Sequence, residues 1–164
     1  MKVKKFYKYD TDFLLNSILI EKNDYFYVFA TNVTFLLTSI TIPASVTTIG
    51  ENAFQNCTSL TSVDLPSATS FGSNAFIDCT ALTTAKISSA TSIGDGMFAR
   101  CTSLTTVDLP SVTSIGEATF AYCVNLKAVI VRTTSTVVEV AFNAFAETPI
   151  LQGAGNIYVP SSMY

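Results

Sequence analysis

Two sets of residues in this 164-residue chain have the types and spacing to do chemistry. One is the four cysteines Cys57, Cys79, Cys101 and Cys123; the other is Asp64 and Asp108 with Lys86 midway between them. The cysteines are 22 residues apart at every step. If each step is one coil of a stack with strands about 4.8 Å apart, Cys57 and Cys123 are separated by roughly 14 Å, whereas thiolates on one zinc ion each lie ~2.3 Å from it. One metal cannot gather all four. A disulfide between adjacent coils is within reach, but side chains repeated at one phase point the same way rather than at each other. The expected outcome is a ladder of buried thiols acting as small apolar groups, with no metal site.

Asp64 and Asp108 share a phase two coils apart, so they project from one face roughly 9–10 Å from each other, near the upper limit for an inverting glycosidase pair. Lys86 occupies the same column between them and favours the ionised form of both, which works against either as a proton donor. Asp, Lys, Asp therefore reads as a cross-strand charge ladder that avoids stacking like charges. Exposed pairs of this kind contribute only ~0–1 kcal/mol, so they guard register more than they stabilise. The chain has no His, which removes the commonest general base, most nucleophile triads and most zinc-ligand sets. Each glycine at the repeated turn stands alone rather than in a phosphate-binding loop, and its lack of a Cβ explains it. The expectation is a protein that is not an enzyme and needs no cofactor.

The elements that position these residues follow from the period. Phe54, Phe76, Phe98 and Phe120 keep the cysteines' step, as do Leu60, Leu82, Leu104 and Leu126, and Gly50, Gly72, Gly94 and Gly116. A period of 20 to 29 residues, each unit too small to bury its own apolar face, is the mark of a solenoid whose coils stack. Within a coil, "LTSVDLP" reads as a short strand with Leu60, Val63 and Leu65 inward and Ser62 and Asp64 outward, ended by Pro66. Equivalent strands recur near Leu82 to Ile87, Leu104 to Leu109 and Leu126 to Val131. "LLTSITIP" upstream and "GNIYVP" downstream bring the total to about six parallel strands in one sheet. A second extended piece ("SVTTI", "SATSF", "SATSI", "SVTSI") leads to each Gly. A short helical turn is expected next, with Glu51, Ser73, Asp95 and Glu117 at its start.

Composition narrows the partners. Only 13% of residues are charged against 49% hydrophobic, so the surface is a carpet of Ser and Thr hydroxyls suited to short-range contacts. A net charge of −3 is no footprint for a polyanion, so nucleic acid is not expected as a partner. No apolar run approaches the ~18–20 residues that span a bilayer, so no membrane insertion is expected. The opening "MKVKKFYKYDTDFLLNSILIEKND" is interrupted by Asp10 and Asp12 and reads as folded protein, with no signal peptide visible. The sequons at Asn32 and Asn56 are chance-level in a chain so rich in Thr.

The pattern I-G-x-x-x-F-x-x-C-x-x-L-x-x-V-x-L-P, in four good copies and two degenerate ones between Thr38 and Pro160, resembles the BspA-like leucine-rich repeats of bacterial surface proteins, also found in some protists and phages. The resemblance implies a right-handed leucine-rich-repeat solenoid and an extracellular or cell-surface setting. Residues 1–36, with five lysines and nine aromatics, are expected to cap the N-terminal end; residues 37–131 hold the repeats. Residues 132–164 form a degenerate final repeat and C-terminal cap, with about three extra residues before its Phe and Thr148 in the place of Cys.

The function expected is recognition or adhesion without catalysis, through a rigid repeat surface that binds a protein or a glycan. The outward column runs Thr41, Asp64, Lys86, Asp108, Ile130, Tyr158 and grows more apolar toward the C-terminus. Asp64, Lys86, Asp108, Ile130 and Tyr158 are the candidate binding residues. The alternative is a structural or assembly component, such as a phage tail or surface-layer protein, whose caps mediate oligomerisation. A monomer is slightly favoured over an oligomer.

Overall fold

The computed structural model describes residues 18–22, 25–29, 37–42, 44–133 and 137–159. Lys2, Lys4, Lys5, Lys8 and the Asn32 sequon lie outside them. The first described elements are an antiparallel pair, β1 (Ile18–Lys22) and β2 (Tyr25–Phe29). Each coil then contributes two short strands. The first of each pair are β3 (Ser39–Thr41), β5 (Ser62–Asp64), β7 (Thr84–Lys86), β9 (Thr106–Leu109), β11 (Ala128–Val131) and β13 (Asn156–Tyr158). The second are β4 (Thr48–Ile49), β6 (Ser70–Phe71), β8 (Ser92–Ile93), β10 (Ser114–Ile115) and β12 (Glu139–Val140).

The first strands form one parallel six-stranded sheet in the order β13-β11-β9-β7-β5-β3, as the alternation of apolar and polar residues predicts. The second strands form a parallel three-stranded sheet, β12-β10-β8, and a four-stranded one, β1-β2-β4-β6, in which β2 pairs parallel with β4 just as β4 pairs with β6. Between the two layers of strands lies the core. Leu60, Val63 and Leu65 are buried, and so are their equivalents Leu82, Ala85 and Ile87, Leu104, Val107 and Leu109, and Leu126, Val129 and Val131. Burying one such aliphatic side chain contributes about 1.5–3 kcal/mol, and each is sealed only by the coils beside it.

The phenylalanines stack as one column. Ring centroids are 4.9 Å apart for Phe54–Phe76, 5.6 Å for Phe76–Phe98, 5.8 Å for Phe98–Phe120 and 5.4 Å for Phe120–Phe145, with planes within 15° of parallel. Phe145 keeps the column although it follows Phe120 by 25 residues, because the extra three residues precede its turn.

The expected helical turns are not there: among the described residues there is no helix. Segments 51–56, 73–78, 95–100, 117–122 and 142–147 are runs of tight turns instead. In the first four, the second and sixth residues adopt positive φ, as at Asn52 (54°) and Asn56 (60°), Asn74 (59°) and Asp78 (62°), and Gly96 (60°) and Arg100 (59°); in the last, the sixth residue, Glu147 (57°), does. A left-handed residue breaks a right-handed helix. The backbone gains lateral bonds in exchange. Asn52, Phe54 and Asn56 donate their N–H groups to Ser73 O, Ala75 O and Ile77 O of the following coil, at 3.0, 2.7 and 2.9 Å, and later coils repeat the scheme. Stacking therefore satisfies the turn's donors better than a single helical turn, most of whose N–H groups would be orphans.

Close approach of coils, not backbone conformation, explains the repeated glycines. A Cβ on Gly72 would run into the backbone of Glu51, and one on Gly116 into the side chain and backbone of Asp95.

Candidate functional site

The four cysteines are free and buried. Three of the sulfurs share one kind of partner: Cys79 Sγ donates to Phe54 O at 3.2 Å, Cys101 to Phe76 O at 3.2 Å, and Cys123 to Phe98 O at 3.0 Å. Each of these carbonyls also accepts the N–H of its own coil's cysteine, as Phe54 O does from Cys57 at 3.2 Å. The thiol is thus a small apolar group that bonds one coil to the next. Contact with the Cys79 thiol, and then burial, pushes Cys57 well above the ordinary thiol range. Cys79 is pushed up chiefly by Cys101, and burial takes Cys123 up to about 12. Protonated, buried sulfurs are poor nucleophiles and poor metal ligands. In the last coil Thr148 turns its hydroxyl back on Phe145 O of its own coil, at 2.7 Å.

Sequence reasoning missed what the hydroxyls do. Thr61 donates to Thr38 O at 3.1 Å, Thr83 to Thr61 O at 3.0 Å, Thr113 to Thr91 O at 3.1 Å and Ser89 to Pro66 O at 2.7 Å. Much of the carpet is spent on stitching coils together, and the recurrence of Ser and Thr at fixed phases was the signal.

The outward column of the six-stranded sheet is assembled as expected. The register pairs Thr41 with Asp64, Asp64 with Lys86, Lys86 with Asp108, Asp108 with Ile130, and Ile130 with Tyr158. Asp64 and Lys86 are exposed, Asp108 and Ile130 are half-buried, and Tyr158 is 53% exposed. Lys86 does stand between the two carboxylates, but the ion pair of Asp108 is with Arg132, whose Nη2 lies 2.9 Å from Oδ2. Arg132 is closer in the chain to the half-buried end of the column, and its planar guanidinium suits a carboxylate better than an ammonium does. The second oxygen, Asp108 Oδ1, is buried without a hydrogen-bond partner among the described residues. One end of the face is thus charged, its middle carries a fixed Asp108–Arg132 pair, and its other end is apolar.

Two other surfaces offer chemistry. On the turns, Arg100 grips Asp78 with both nitrogens, Nε to Oδ1 at 2.6 Å and Nη2 to Oδ2 at 2.7 Å, and this hydrogen bonding holds the Asp78 carboxyl below its usual range. An open groove of about 430 Å³ on the three-stranded sheet is lined by Ser92, Asp95, Ser114 and Glu139 beside Gly94 and Gly116. Its polar groups are partly engaged: Ser114 donates to Ser92 Oγ at 2.9 Å, and Asp95 Oδ1 accepts from Glu117 N at 2.8 Å. No aromatic ring lines it. Among the described residues no cluster of His, Cys, Asp or Glu could hold a metal ion, and no helix is long and apolar enough to cross a membrane.

The profile of the BspA type leucine rich repeat region matches residues 25–152 in 6 copies. A leucine-rich cell surface protein from Faecalibacterium prausnitzii superposes with a TM-score of 0.73 at 26% identity, over 92% of this chain and 40% of that one. A leucine-rich repeat protein from Eubacterium ventriosum gives 0.57 at 25% identity, over 69% and 37%. One from T. pallidum gives 0.58 at 19% identity, over 88% and 61%, a likeness of fold alone. The chain spans about two fifths of the length of the first of these. No curated protein matches it. With the family profile covering most of the chain, the chain belongs to the BspA-type leucine-rich repeat family.

Proposed function

We propose that the chain is a recognition module without catalytic activity, which binds a partner through the outward face of the six-stranded sheet at Asp64, Lys86, Asp108, Ile130 and Tyr158. The observation that carries this reading is the unbroken register of that column: five adjacent strands hold side chains of four different types in line. Where inward positions repeat and outward positions vary, the outward ones are free to be chosen for a partner. Of the two ligand classes, a protein fits better than a glycan. The face joins a charged half to an apolar half and offers a single ring, Tyr158, where sugars are held by flat aromatic platforms and rows of free polar groups. The similarity to a cell surface protein of F. prausnitzii supports an extracellular setting for this chain.

The test is a screen of arrayed extracellular proteins and glycans with the parent, followed by the same screen with Tyr158→Ala and Ile130→Asp. Loss of the captured protein with the thermal midpoint unchanged is expected, because a large ring and an aliphatic at the centre of a contact dominate its energy. Capture undiminished by both substitutions would overturn the assignment of this face. The structural or assembly reading is favoured by a different observation, the exposed apolar side chains Val140, Phe142, Leu151 and Ile157 on the last described coil.

A further inference from the structure

The two layers of strands differ at one step in the middle of the stack. In the six-stranded sheet every neighbour is paired, β5 with β7 included. The second strands pair at β2–β4, β4–β6, β8–β10 and β10–β12, but β6 and β8 belong to different sheets. Backbone bonds mark the gap. Thr69 N and Gly72 N donate to Thr47 O and Ile49 O at 2.9 and 2.8 Å, and Thr113 N and Gly116 N donate to Thr91 O and Ile93 O at 2.8 and 2.9 Å. Thr91 N and Gly94 N, at the same phases between them, make no such bond to Thr69 O and Phe71 O among the described residues. Phe71 O lies instead 3.0 Å from where a Cβ of Gly94 would stand. The open groove of the three-stranded sheet begins here, with Ser73 on one side of the gap and Ser92 and Gly94 on the other.

Side-chain size accounts for the gap. Thr119, three residues after Gly116, donates its hydroxyl to Gly94 O at 3.0 Å, so the side chain at this phase is directed at the end of the preceding coil's second strand. Met97 has that phase, and Phe71 ends that strand. The paired steps combine Ile49 with Ala75, Ile93 with Thr119 and Ile115 with Ala144, and β2–β4 combines Phe26 with Ala53. Only the unpaired step brings two large residues together. Met97 is fully buried, while Phe71 is half-buried at the phase where Ile49, Ile93 and Ile115 are buried. A core filled beyond its space moves backbone, and here it costs the strands their pairing.

We propose that this step is a joint, about which the coils up to residue 78 and the coils from β7 onward swing as two blocks. What holds the blocks together is chiefly the β5–β7 pairing, the Asp78–Arg100 ion pair and three turn bonds: Asn74 N to Asp95 O, Phe76 N to Met97 O and Asp78 N to Ala99 O, at 2.9, 2.9 and 3.0 Å. The stability of a stack is a sum over interfaces between neighbouring coils, so it opens first where one layer of bonds is missing. Swinging alters the curvature of the six-stranded sheet between Asp64 and Lys86. The outward column can thereby adapt its shape, although the joint does not depend on that column being a binding site.

Hydrogen exchange of the 164-residue chain, read residue by residue, tests the joint. Asn74 and Phe76 donate across it, whereas Asn52 and Phe54, and Gly96 and Phe98, make the same bonds across the interfaces on either side. Protection of the Asn74 and Phe76 amides should be at least tenfold lower than that of these equivalents. Thr91 and Gly94 should fall below Thr69, Gly72, Thr113 and Gly116 by the same factor or more. Phe71→Ile with Met97→Ala copies the Ile49 and Ala75 of the step before, and should bring all four amides within threefold of their equivalents. Conversely, Ile93→Phe with Thr119→Met should build a second joint and lower the protection of Gly96 and Phe98 tenfold. Equal protection of Asn74, Phe76 and their equivalents in the parent would overturn the joint. Low protection that persists in the first double variant, or unchanged protection in the second, would overturn its origin in Phe71 and Met97.

Discussion

The inward and outward columns of the six-stranded sheet lie on the same strands yet follow opposite rules. Inward, Val63, Ala85, Val107 and Val129 differ by no more than a few methyl groups and are all buried. Outward, one residue along, Asp64, Lys86, Asp108 and Ile130 change charge and polarity at each step. The inward set must fit the coils above and below, so one shape serves all. The outward set meets solvent or a partner and is bound by no such condition. Stability is therefore concentrated in the ladders, and the proposed recognition in the column.

That division can be broken most forcefully from the inside. Phe76→Ala or Phe98→Ala removes a fully buried ring from the middle of the stack, and neighbouring coils cannot close the gap without losing register. A loss of about 3–5 kcal/mol is expected in denaturant titrations. A melting midpoint within a degree or two of the parent would mean the Phe column is not the spine of the core.

Gly72→Ala is expected to cost somewhat less, about 1–3 kcal/mol, since the added Cβ meets the Glu51 backbone and the coils must separate to admit it.

The thiols give a pH signature. Cys57, Cys79 and Cys123 have folded values raised above about 8.5, the ordinary thiol value, so the native state holds protons that the unfolded chain releases. Their contribution is complete below pH ~8.5 and declines as pH rises toward the folded values, about 12 for Cys123. Stability measured from pH 8 to 10 should fall, and the fall should shrink in a Cys57→Ala, Cys79→Ala double variant. Maleimide should label slowly in the native state and completely in denaturant.

The smallest effects belong to exposed positions. Tyr122, at φ 60°, occupies a left-handed position where earlier coils have Asn56 and Asp78, so Tyr122→Asn should raise stability by up to about 1 kcal/mol. Ser88→Ala, on an exposed loop, should change it by less than about 0.5 kcal/mol. A large loss at either site would break the contrast between ladder and surface.

Much of this architecture was legible because a solenoid repeats its physics. The step of Phe, Cys, Leu and Gly gave the stack, and alternation in "LTSVDLP" gave strand, facing and register up to Tyr158. The turn segments were misread because acidic and hydroxyl residues at Glu51, Ser73, Asp95 and Glu117 suit a helix start. Asn52, Asn56, Asn74, Asp78 and Gly96 were the better guide, since these types tolerate positive φ. Arg132 escaped notice as the partner of Asp108 because it lies just beyond the strand, where period-two reasoning ends. The exposure of Val140 and Ile157 was not legible either: they pair with the buried Ile115 and Val129, and alternation alone assigns them inward.

Whether the outward column recognises a partner while the inward ladders only hold it in place is decided by one binding titration. A partner captured by the parent is titrated against the parent and against an Ile130→Asp, Tyr158→Ala double variant with an unchanged melting midpoint. At least a hundredfold loss of affinity, about 2.7 kcal/mol, is expected for the double variant. Equal affinity in the two proteins would place recognition elsewhere and contradict the proposed role of the column.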